Sequence, residues 1–262
     1  MANDDYFSRI DNAAKALKVD ISGGEMAKLA LSHQFTEDQL KAVSDVFSYL
    51  SDKKHETIIN TMLRLSRLPM KVPKTFDNYD FSIIHGQNAD RLRSLPNLSE
   101  VYAGRNIIFI GPPGVGKTHL AEAYGNACCR NGMKAYFLKA NELNDKFTNA
   151  RRVGRESSVV NELVKPTCLI IDEMGRCKFD AENTELFFDM IDRRYQKEGP
   201  NTMIFTSNKQ PAQWKECFSN NEALLCALDR LCDNAEIFTI KGISYRGKGR
   251  ETLSAEAGTI TA

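Results

Sequence analysis

Two rhythms of apolar spacing divide the chain. Up to about residue 65 apolar residues recur three and four apart: Leu40, Val43, Val46, Phe47 and Leu50, then Ile58, Ile59, Met62, Leu63 and Leu65. That spacing predicts two short amphipathic helices, the first opened by the capping box Thr36-Glu37-Asp38-Gln39. Gly23-Gly24 and Leu68-Pro69 bracket them as turn and break. From residue 106 onward short continuous apolar runs take over, at 106–110, 135–138, 167–171, 202–206 and 235–240. They alternate with helical patterns, including 117–131, ended by Gly132, and 182–197, ended near Gly199-Pro200. This alternation predicts a parallel sheet covered by helices on both faces. The expected organisation is a small all-helical domain over 1–68 that docks a partner, an α/β domain over 69–253, and a small, polar, disordered tail over 254–262.

Bulk composition narrows the setting without naming a chemistry. The 262 residues carry 35 basic and 34 acidic side chains, a net charge of +1, so any contact with nucleic acid has to come from local patches. Seven cysteines with no paired C-x-x-C spacing read as reduced thiols rather than a disulfide framework. No apolar stretch reaches membrane-spanning length and no leader-like segment opens the chain, which gives a cytoplasmic expectation. His33, His55 and His85 form no ligand pattern, so no zinc site is expected.

The chemistry concentrates where strand-like runs end. Gly111, Pro112, Pro113, Gly114, Val115, Gly116, Lys117 and Thr118 spell G-x-x-x-x-G-K-T directly after the run 106–110. A phosphate-binding loop needs this order: glycines let successive N–H groups turn inward, and the following helix adds the positive end of its dipole. Lys117 is then placed for the β and γ phosphates of ATP, and the Thr118 hydroxyl for Mg2+. His119, next in the chain, lies at the cofactor-binding end of the helix, although packing explains it as well as chemistry does. The run 167–171 ends in Asp172-Glu173, the pattern of a metal-holding acid followed by an acid that orients or deprotonates the attacking water. Asn208, after the run 202–206, is either a phosphate-sensing amide or a plain turn opener.

Arg230 lies in Leu228-Asp229-Arg230-Leu231, and reads either as a surface pair or as a charge delivered to the nucleotide of an adjacent subunit. Lys139, Lys146, Arg151, Arg152 and Arg155 form a basic stretch suited to a DNA backbone or simply to water. A second basic run, Lys241, Arg246, Lys248 and Arg250, has the same two readings. Tyr79 and Phe81 either flank an adenine ring or belong to the core.

In combination, Lys74-Thr75-Phe76-Asp77, the phosphate loop with His119-Leu120, Leu169 to Gly175, Arg194-Tyr195, Thr206-Ser207-Asn208, Trp214, Asp229-Arg230-Leu231 and Gly242 to Arg246 resemble the IstB-like helper ATPases of bacterial insertion sequences. These are relatives of the DnaC-type helicase loaders in the AAA+ superfamily. The resemblance covers roughly residues 70–250. It implies an AAA+ P-loop core with a five-stranded parallel sheet in the order 5-1-4-3-2. This chain departs from the family in one respect: only a short segment follows the last strand-like run, so the helical lid typical of AAA+ proteins is expected to be reduced or absent. The resemblance also implies ATP-dependent assembly on DNA, expected to be duplex, with Arg230 acting in trans, and help to a partner transposase. The alternatives are a DnaC-like replicative helicase loader and, from a different class, a monomeric P-loop kinase acting on a small molecule. The lytic acid Glu173 and the missing lid count against the kinase.

Overall fold

A computed structural model describes residues 2–86, 88–219, 221–241 and 253–257. The chain divides into two compact units, Met1–Thr61 and Met62–Ala262.

The first unit is helical: α1 (Ala2–Leu17), α2 (Gly23–Ser32) and most of α3 (Glu37–Leu65). Both capping boxes form. Ser22 and Glu25 exchange bonds at the start of α2, and the Thr36 N–H donates to Gln39 Oε1 at 2.9 Å ahead of α3. Ile10, Ala14, Met26, Ala30 and Leu40 fill its core. The two short helices expected across 37–65 are one helix of 29 residues. The polar stretch Ser51 to His55 contains neither Gly nor Pro, and Lys53 pairs with Glu56 along the helix. The unit boundary falls before the last turn of α3 rather than at residue 68, because Met62 and Leu63 already pack on the apolar cluster of the second unit. The Ser66 carbonyl also accepts a bond from the Phe137 N–H at 2.8 Å.

The second unit is the α/β body. After β1 (Ile84–His85), α4 (Ala89–Ser94) and α5 (Ser99–Tyr102) come β2 (Asn106–Ile110), α6 (Lys117–Arg130), β3 (Ala135–Lys139), α7 (Ala140–Arg152), α8 (Glu156–Val164) and β4 (Cys168–Met174). Then follow α9 (Ala181–Tyr195), β5 (Thr202–Ser207), α10 (Asn221–Cys232), β6 (Ala235–Lys241) and β7 (Leu253–Ala257). Five strands are mutually parallel in the order β6-β2-β5-β4-β3. Counted from β2 as the first, this is the expected 5-1-4-3-2. The sheet extends past β6 by β7, antiparallel, and β1, parallel to β7, two strands absent from the sequence expectation. The tail expected to lack order from residue 254 thus contributes backbone pairing from Leu253–Ala257.

The central strands β2, β4 and β5 are apolar between their ends, at Ile107–Ile110, Cys168–Ile171 and Met203–Phe205, because both faces of the sheet are covered. Ile108 and Ile110 of β2 join the cluster beneath α7, α8 and α9, while Ile107 and Phe109 join the opposite cluster beneath α6. Leu169 and Ile171 of β4 face the first cluster, and Cys168 and Ile170 the second. The period of two hands each residue to a different layer. The parallel direction of β2, β4 and β5 brings their C-terminal ends to one edge of the sheet, where ligands of such folds bind.

One clamp holds the opposite edge. Arg194 of α9 is fully buried. Its guanidinium donates to the carbonyls of Leu163, Pro166 and Thr202 at 2.9 Å each and to Asn201 Oδ1 at 2.6 Å. Burial pushes its pKa down to about 10, still far above neutrality.

Candidate nucleotide-binding site

The loop Gly111–Thr118 leaves β2 and turns into α6 with Gly111, Gly114 and Gly116 at positive φ of 155°, 85° and 93°. At Gly111 a Cβ would lie 2.2 Å from the Ile240 carbonyl oxygen, so β6 itself excludes a side chain there. At Gly116 it would meet the Tyr79 ring at 3.0 Å. Val115 points into the core and offers the site only its backbone. Lys117 Nζ donates to the carbonyls of Gly111 and Pro112 and to Asn208 Oδ1, at 2.7, 2.7 and 2.8 Å. Burial holds its pKa down at about 8, against the pull of Asp172.

Asp172 and Glu173 sit where β4 loses register with β5, between Ile171 and Met174. The irregularity, with Glu173 at φ 60°, lets the two adjacent acids serve the same edge instead of opposite faces. Asp172 is almost completely buried, and its Oδ1 accepts from Thr118 Oγ1 at 2.9 Å and Thr206 Oγ1 at 2.5 Å. The Thr206 oxygen also accepts the Glu173 N–H at 3.0 Å. Glu173 is more open; its carboxylate bonds Arg176 at 2.7 Å and faces Lys139 Nζ at 3.8 Å.

Two cavities flank Lys117 and Thr118. The larger, about 600 Å³, is bounded by Lys74, Asn78, Tyr79, Asp80, Gly114, His119 and Glu122. The smaller, about 230 Å³, is bounded by Pro113, Glu173, Arg176, Thr206, Asn208 and Lys209. His119 forms a wall of the larger one: its Nε2 lies 3.0 Å from the Thr75 carbonyl, and its ring meets Tyr79 edge-on at 5.1 Å. Tyr79 is buried against Phe81 at 4.9 Å, so the aromatic pair is core that also borders the cavity. Glu122, buried in α6, is pushed up to about 7 by burial and then by Asp172.

The residues fit a magnesium-bound nucleoside triphosphate. The glycines form a backbone cradle that side chains would fill, and Lys117 sits on carbonyls and an amide that a phosphate can replace. A hydroxyl and a buried carboxylate offer hard oxygens for the cation. Lys117, Thr118, Asp172, Glu173 and Asn208 come together as the sequence implied.

Arg230 does not join them. It lies beside the start of β2, where Asn106 Nδ2 donates to the Leu231 carbonyl at 3.0 Å, and it pairs with Asp192 at 2.8 Å. Of the basic stretch, Lys146 pairs with Glu162 at 3.0 Å and Arg151 with Asp180 and Glu182 at 2.7 and 2.9 Å. Lys139 faces Glu173, while Arg152 and Arg155 form no ion pair among the described residues. Arg246, Lys248 and Arg250 lie outside the described residues.

Sequence reasoning gave no role to Thr206, Arg176, Lys74 or Glu122.

Comparison with known proteins agrees with this geometry. The model of the IstB-like ATP binding protein family matches residues 14–253. The ATP-binding protein of insertion sequence IS5376 from Geobacillus stearothermophilus is 39% identical over 74% of this chain and 75% of its own length. That of insertion sequence IS232 from Bacillus thuringiensis is 31% identical over 86% and 87%. The DnaC helicase loader shares the fold, with a TM-score of 0.51 at 20% identity, over 63% of this chain and 96% of that one. The chain therefore belongs to the IstB-like ATP-binding family, built on the α/β fold of AAA+ ATPases.

Proposed function

We propose that the protein is a DNA-dependent ATPase that assembles on target DNA in its ATP state and assists a partner transposase. One observation carries the hydrolytic part: α6, β4 and the ends of β2 and β5 bring Lys117, Thr118, Asp172, Glu173 and Asn208 to a single cluster. In this reading Lys117 and the loop N–H groups bind the phosphates. Thr118 and Asp172 hold Mg2+, which supplies charge neutralisation at the phosphate oxygens. Glu173 orients the attacking water, and Asn208, already bonded to Lys117, reports the terminal phosphate. The relatives named as insertion-sequence proteins support the transposition setting.

Arg230 completes the site of a neighbouring subunit, a role that fits its place away from the phosphate loop of its own chain. Lys139, Lys146, Arg151, Arg152 and Arg155 provide the DNA contact, led by Arg152 and Arg155, whose charges no carboxylate among the described residues takes up. The likeness to the DnaC fold favours one alternative, a replicative helicase loader.

The test is the mass distribution of Glu173→Gln with ATP and magnesium, alone, with duplex and with single-stranded DNA. A discrete multimer sharpened by duplex supports the transposase helper, and preference for single strands supports the loader. A monomer under all conditions despite bound ATP defeats the assembly reading.

A further inference from the structure

The water-orienting carboxylate is not free in this structure. Glu173 stands at φ 60°, a conformation that costs a non-glycine residue energy, at the irregularity of β4. Its side chain is engaged by Arg176, three residues on, at 2.7 Å. Arg176 also bounds the smaller cavity together with Lys117, Thr118 and Asn208, on the side where the triphosphate tail ends in the reading above. Its charge is felt at Lys117, whose ammonium it disfavours. Besides Lys117, and Lys209 which pairs with Glu216, the chamber therefore holds a third cation with donors suited to a phosphate, and its present partner is the group that hydrolysis needs. The Arg176–Glu173 pair is open to water, with side-chain exposures of 56% and 35%, and an ion pair of that kind is weak. A terminal phosphate carries more charge and matches the planar guanidinium fork with two oxygens, so it competes well for the same donors.

We propose that Arg176 is a γ-phosphate ligand acting within its own chain, and that Glu173 occupies it until a nucleoside triphosphate arrives. Transfer of Arg176 from carboxylate to phosphate binds the terminal group and releases Glu173 toward water in one exchange. A nucleoside diphosphate offers no oxygen at that place and leaves the pair closed. The proposal rests on the ATPase reading and adds to it a residue that distinguishes ATP from ADP.

The experiment measures affinities for ADP and for a non-hydrolysable ATP analogue, both with magnesium, in the wild type, Arg176→Ala, Glu173→Gln and the double variant. Removal of Arg176 is expected to weaken the analogue by about 10- to 100-fold, the range of charge-assisted hydrogen bonds, and to leave ADP unchanged. Glu173→Gln is expected to tighten the analogue severalfold when Arg176 is present and to lose the Arg176-dependent part of that gain in the double variant. Arg176→Lys should restore part of the affinity. Equal effects on both nucleotides, or the same gain from Glu173→Gln with and without Arg176, would overturn the proposal and leave the pair as an ordinary turn contact. Failure of the wild type to bind either nucleotide would instead remove the ATPase reading, and the proposal with it. Melting curves recorded alongside separate a ligand effect from a folding defect.

Discussion

Thr206→Val tests how the two acids of the site are held. The Thr206 hydroxyl, 1% exposed, donates to Asp172 Oδ1 at 2.5 Å and accepts the Glu173 N–H at 3.0 Å. Valine keeps the shape and removes both bonds. Loss of a bond to a charged acceptor costs about 1.5–3 kcal/mol, and an N–H left without its acceptor about 1–3 kcal/mol when buried. Because Glu173 is partly open to water, the second cost lies at the low end, and the sum is about 2–4 kcal/mol. For a body of this size that lowers the melting temperature by roughly 5–15 °C. Thr206→Ser keeps both bonds and loses one methyl group, about 1 kcal/mol. The assay is thermal and urea unfolding of the three proteins, with magnesium-dependent nucleotide affinity measured on each. Affinity should fall in the valine variant, since Asp172 loses one of its two orienting donors. Equal midpoints and equal magnesium dependence for valine and serine would refute this account of the site.

Three further outcomes follow from the same geometry. Arg194→Met leaves buried carbonyls and the Asn201 amide without donors, and should cost about 3–5 kcal/mol in urea unfolding; a loss under 1 kcal/mol would contradict the clamp. Glu122 has its pKa raised to about 7 by burial and by Asp172, so its protonated form suits the fold. Its contribution is complete below the ordinary pKa of 4.5 and is lost as pH rises through 7. Glu122→Gln should therefore gain on the wild type from pH 5 to pH 8, and parallel unfolding midpoints across that range would refute the assignment. Arg230→Ala should keep nucleotide affinity but lose about 10³-fold or more of the turnover seen in the assembled state; unchanged turnover would remove Arg230 from the reaction.

The parts of the molecule that the sequence disclosed are those whose signal is local. The five parallel strands were readable because a strand buried on both faces has to be apolar along its length, as β2 is from Ile107 to Ile110. The phosphate loop was readable because its glycines answer to backbone geometry at fixed spacing. Helix α3 was misjudged because a polar interval resembles a break, although only Gly, Pro or a lost cap ends a helix. Strand β7 was missed because its pairing with β6 and β1 draws on backbone groups and demands little of the side chains. Thr206 acts on Asp172, 34 positions away in the chain, and Arg194 on Leu163, 31 away, so neither role leaves a local mark. The Arg176–Glu173 contact is short in sequence, but a turn has no period from which to read it.

The direction of β2 has a consequence for symmetry. Asn106 opens the strand beside Leu231 and Arg230, and Ile110 closes it at the phosphate loop. Four residue steps of strand separate the two ends by about 13 Å. A patch bearing Arg230 and a patch bearing the nucleotide thus lie at opposite poles of one rigid sheet. In the assembly proposed above, a subunit that lends Arg230 to one neighbour keeps its nucleotide pole free for another. Head-to-tail stacking, each subunit repeating the same polarity, joins the two poles in series. An open stack of this kind, under the proposed assembly, has one terminal subunit with a vacant nucleotide face and another with an idle arginine, so its growth and release would have a built-in direction.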